Sequence, residues 1–96
     1  MADPFDDAFY MRADAHITLS NEQVDDAAPE MVNASMMFAS ARFCAWLSAG
    51  GFKTGEAMAA KHGETIEYFV AGFRQMLEGN MDAYIANFDT YVRPKE

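Results

Sequence analysis

Two histidines, one cysteine and an arginine set among apolar residues are the side chains whose types could carry chemistry in this 96-residue chain. A metal site in a helical protein places carboxylates or a second imidazole three or four residues from each histidine, on the same face. Around His16 those positions hold Arg12, Ala13, Leu19 and Ser20; around His62 they hold Met58, Ala59, Thr65 and Ile66. No metal-binding pair exists within either helix, so a site would need residues from different helices, such as His16 with Asp14 or Glu67. Cys44 lies among Phe43, Ala45 and Trp46. Apolar neighbours disfavour the thiolate, and the residue reads as a small buried hydrophobe rather than a nucleophile. Arg42 needs a carboxylate partner or must carry its head to water. Asp14, Glu22 and Glu67 are the candidate partners, so Arg42, Asp14, His16, Glu22 and Glu67 form a candidate buried polar cluster. "GGFKTGE" (residues 50–56) lacks the Gly-Lys-Thr order of a phosphate loop and follows a helix rather than a strand. Lys53 and the Thr54–Gly55 helix start remain a candidate anion contact. The sequence predicts no catalytic residue, no metal and no cofactor, and therefore a protein that is not an enzyme.

The elements that must position these side chains are helices. No stretch alternates as a strand does, and proline occurs only at positions 4, 29 and 94. Asp3 as cap, Pro4 at the first helical position and Asp6 with Asp7 in the first turn predict a helix over about 4–23. Phe5, Phe9, Ala13, Ile17 and Val24 mark its apolar side. A second helix is expected over 28–49, capped by Asp25 or Asp26, with Pro29 in its first turn and Gly50–Gly51 as its stop. Thr54 caps a third, long helix, with Glu56 in its first turn. Its stripe runs through Phe73, Leu77, Met81, Tyr84 and Phe88, in phase across Gly79–Asn80, where low helix propensity predicts a bend or short break. Helices over 55–78 and 80–92 and a tail over 93–96 complete the reading. The expected fold is all-α: a small antiparallel bundle of three main helices in a single domain, 1–96.

Composition narrows the function classes. Fifteen acidic against seven basic residues give a net charge of −8, which argues against nucleic acid and anionic lipid as partners. The acids cluster: residues 1–30 hold eight against Arg12, whereas residues 31–55 hold none. One cysteine makes no internal disulfide, and the N-terminus opens on acids rather than on a secretory leader; both point to a reducing, cytoplasmic setting. A membrane span over 31–52 is excluded by Asn33, three serines, Arg42 and two glycines.

The second helix is apolar all round. Met31, Val32, Met36, Met37, Phe38, Phe43, Trp46 and Leu47 point in every direction about its axis, more than two flanking helices can cover. The expectation is a homo-oligomer, dimer or tetramer, whose interface includes Met36, Met37, Phe43, Trp46 and Leu47 and part of the long third helix. The second reading is a helical binder of a small apolar or anionic ligand in an inter-helix pocket near Arg42.

Three segments, "FYMRADAHITLSNEQ" (9–23), "ASMMFASARFCAWLSA" (34–49) and "IEYFVAGFRQMLEGNMDAYIANFD" (66–89), resemble in order a family of short bacterial proteins known as domain of unknown function 3144. The resemblance implies a small all-helical bacterial protein with no assigned activity. It transfers no functional residue.

Overall fold

The computed structural model describes residues 5–92. Five helices follow one another, α1 (Asp7–Gln23), α2 (Pro29–Ala49), α3 (Gly55–Ala60), α4 (His62–Ala86) and α5 (Phe88–Tyr91), and no strand occurs among the described residues. The fold is all-α with three long helices, as the periodicity predicts. The chain comprises two compact units, Met1–Ala45 and Trp46–Glu96, with the boundary inside α2.

In the first unit, α1 begins at Asp7, later than expected. Asp6 is its cap: the side chain accepts from the Phe9 amide at 3.0 Å, which satisfies one of the helix's orphan donors. The expected cap Asp3 and Pro4 lie outside the described residues. Phe5, Phe9 and Tyr10 stack edge to face along the first turn, at centroid separations of 4.9 and 5.0 Å. Gln23 ends the helix, and residues 24–27 form a turn. There the expected caps Asp25 and Asp26 lie too early to reach α2. The amides of Met31 and Val32 donate instead to the Ala28 carbonyl, and Pro29 occupies the first helical position, where its missing N–H costs nothing. One side-chain bond joins the two helices: the Ser20 hydroxyl donates to the Met36 sulfur at 3.3 Å.

In the second unit, α2 stops at Ala49 as expected, but Gly50 and Gly51 do not take the left-handed backbone of a glycine cap. Tight turn bonds close the helix, Gly51 N–H to the Ser48 carbonyl and Phe52 N–H to the Ala49 carbonyl. Thr54 caps α3 as predicted, its hydroxyl accepting from the Ala57 amide at 3.0 Å.

The long third helix is broken elsewhere than expected. Lys61 ends α3 and precedes α4. The break falls in "KHGET", the one gap between Met58 and Ile66 without a large apolar side chain, and Gly63 weakens the helix there. Lys61 and Glu64 pair across it at 3.4 Å. α4 then runs unbroken through Gly79–Asn80 to Ala86. The Asn80 side chain donates back to the Met76 carbonyl at 2.8 Å, so its amide is spent inside the helix rather than on a competing turn. Asn87 makes the same bond to the Ala83 carbonyl at 3.0 Å, yet there the helix ends. Phe88, Asp89, Thr90, Tyr91 and Val92 follow it, a run with none of the strong helix formers that Met81, Ala83 and Ala86 supply after Asn80. α5 folds back so that Tyr91 meets the Tyr84 ring at 4.7 Å.

A side chain added at Gly79 would meet nothing within 4 Å. Gly79→Ala is therefore expected to stabilise α4 by about 1 kcal/mol, read as a raised midpoint in thermal unfolding followed by circular dichroism. An unchanged or lowered midpoint would contradict the continuous helix.

Candidate interaction surface

The candidate polar cluster does not form. Asp14, His16, Glu22 and Arg42 of the first unit are all exposed, as is Glu67 of the second, and no polar or charged residue is buried among the described residues. Lys61–Glu64 is the one ion pair among them. Arg42 instead lies over a ring of its own helix, its guanidinium carbon 4.8 Å from the Phe38 centroid. An aromatic four residues before an arginine on one helix face is the sequence signal for this contact. Arg42 thus stays at the surface, where water solvates its charge and its guanidinium rests over the Phe38 ring. Arg42 lines neither of the two depressions described below.

Cys44 is partly covered. No group of three or more His, Cys, Asp or Glu side chains suited to a metal occurs among the described residues. His16 and His62 stand exposed on α1 and at the start of α4. Thr54 is used as a cap, and α3 has six residues.

What the structure does present is apolar surface. Val32, 6% exposed, is the single buried hydrophobic residue among those described. On α2 the least exposed positions are Val32, Met36, Cys44 and Ser48, four or eight residues apart. Of the expected interface residues, Met36 is therefore partly covered, through its contact with Ser20, while Met37, Phe43, Trp46 and Leu47 are 53–67% exposed.

α4 holds a larger surprise. Its partly covered positions are Thr65, Phe69, Gly72 and Ala83. The strongly apolar stripe Ile66, Val70, Phe73, Leu77, Met81 and Tyr84 lies about a quarter-turn or more away and is 44–55% exposed along its whole length. The covered positions carry mostly small side chains, and the large ones of the stripe lie outside them. An open groove of about 550 Å³ runs along the stripe, lined by Val70, Phe73, Arg74, Leu77, Glu78 and Met81 among others. A second open depression, of about 480 Å³, lies between the end of α2 and the start of α4, with Phe52, Tyr68 and Phe69 in its wall and Lys61 and Glu64 on it. No helix of the described residues is long and apolar enough to cross a membrane.

This combination defines a small all-α protein whose large side chains face outward. The chain belongs to the family described as "Protein of unknown function (DUF3144)", whose model matches residues 9–85. It is similar to the protein NB7890A from Shewanella sp, solved by NMR, at 39% identity over 95% of this chain and 97% of that one, with a TM-score of 0.79. Comparison with curated proteins gives no match.

Proposed function

We propose that this protein is a homo-oligomeric, non-enzymatic interaction module, whose copies cover one another's apolar helix faces. One observation carries the reading: a single buried hydrophobic residue, Val32, stands against two dozen large hydrophobic side chains that are more than a third exposed. Isolated exposed hydrophobics are ordinary on a soluble protein, but continuous stripes are not. A chain this short draws little stability from its own core, and burying a Phe, Leu or Met in a neighbour contributes about 1.5–3 kcal/mol each. The net charge of −8 keeps such assemblies soluble. Cysteine usage fits a cytoplasmic site of action.

Sedimentation velocity between about 5 and 200 µM tests the proposal. A dimer or tetramer mass that dissociates on dilution is expected. A species of 10.7 kDa at every concentration would overturn it.

A further inference from the structure

Resting on that reading, we infer that α4 pairs with α4 of a second copy, antiparallel, about a two-fold axis at Leu77. The first support is the spacing of the stripe. Val70, Phe73, Leu77, Met81 and Tyr84 are separated by three, four, four and three residues, the same order in both directions from Leu77. A two-fold axis needs this self-complementarity, because it sets each position against its mirror in the sequence. Leu77 meets its own copy, Phe73 meets the second copy's Met81, and Val70 meets the second copy's Tyr84. The 14 residues from Val70 to Tyr84 in four steps give the repeat of a coiled-coil seam, which a slight left-handed supercoil keeps facing the partner, so both ends of the pair stay in contact.

Charge is the second support, and it selects the direction. Arg74 and Glu78 flank the stripe on one side; both are exposed, and neither forms an ion pair among the described residues. In an antiparallel pair each flank faces the same flank of the other copy. About Leu77, Arg74 then comes beside the second copy's Glu78, and symmetry repeats the contact. A parallel pair would set Arg74 against the opposite flank near Met76 and Asn80, which offer no acid. The area also suffices. Ile66, Val70, Phe73, Leu77, Met81 and Tyr84 are each about half exposed, which at roughly 200 Å² per large side chain gives about 600 Å² per copy and reaches the lower range of specific interfaces. The groove along the stripe is where the second copy's side chains seat.

Opposed charge variants of the full chain test the geometry. R74E sets a glutamate against the second copy's Glu78, and E78R sets two arginines together. Each alone is expected to lose self-association by at least about tenfold at low salt, and an equimolar mixture to recover it, because both cross-contacts become attractive. Repulsion within one helix would persist in the mixture, so recovery reports the contact between copies. In a Cys44→Ser background, F73C and M81C mixed under oxidation should form a mixed disulfide dimer, while neither forms one quickly alone. Rapid cross-linking of F73C to itself would show a parallel pair and overturn the inference. If the parent associates but neither recovery nor mixed cross-link appears, this pairing is wrong and self-association stands. If the Cys44→Ser parent stays monomeric throughout, the proposed function fails and this inference with it.

Discussion

Leu77→Asp is expected to convert the protein to a monomer across the micromolar range, a weakening of association by about a thousandfold or more. Leu77 is 47% exposed at the middle of the α4 stripe. On the two-fold axis one substitution introduces two carboxylates at the same point, and burying like charges together costs several kcal/mol. The free chain carries no such penalty, because a half-exposed aspartate there keeps its water. Gln75→Asp is the control: it adds the same charge on the opposite side of α4, and the oligomer mass should not change. Sedimentation of both variants beside the parent reads the difference. An unchanged mass for Leu77→Asp would place the contact between copies elsewhere, on the α2 face that holds Phe38, Phe43 and Trp46. Circular dichroism on the monomeric variant should show α4 retained but less stable, since association no longer contributes.

Helix identity was legible in the sequence, and the faces the helices use were legible only in part. In α1 the apolar side names the covered one: Phe9 and Ser20 are its less exposed positions, on or beside the Phe9, Ala13 and Ile17 line. In α2 no phase could be read, because a helix apolar in every direction has no periodic signal to lock onto. The covered line, Val32 to Ser48, was hidden among equally apolar residues. For α4 the period was clear, but hydrophobicity alone could not say what covers the stripe. The less exposed positions are Thr65, Phe69, Gly72 and Ala83, off the apolar stripe.

Breaks followed local chemistry more than glycine count. Gly79–Asn80 was the visible weak point, yet Asn80 spends its amide on the Met76 carbonyl and the helix continues. The real breaks, at Lys61 and Asn87, coincide with a gap in the stripe and with a run of weak helix formers, both present in the sequence. The polar cluster around Arg42 failed for a related reason. Of the two outcomes its apolar neighbours left open, a carboxylate partner or a head carried to water, the exposed Arg42 takes the second and needs no carboxylate. Phe38, one turn earlier, supplies what contact it makes.

Val32→Asp should produce the largest loss of stability of any single change in the first unit, because Val32 is the most enclosed side chain described. A carboxylate there sits beside the α1–α2 contact marked by the bond from Ser20 to Met36, and no ion pair in the first unit shows a cation placed to meet it. Removing a charge from water without a partner costs several kcal/mol, a large share of the 5–15 kcal/mol that a typical domain possesses. Val32→Ala, which removes two methyl groups and adds no charge, should cost only about 1–2 kcal/mol. A loss on Val32→Ala distinguishes burial from helix propensity, since alanine is the best helix former of the three and propensity alone would make that variant more stable than the parent. Asn33→Asp, one residue on and exposed, should lie within about 0.5 kcal/mol of the parent. Urea unfolding at matched protein concentration measures all three. A Val32→Asp protein as stable as the Asn33→Asp protein would mean that α1 and α2 do not enclose this side chain, and that what core the first unit has is supplied only by association.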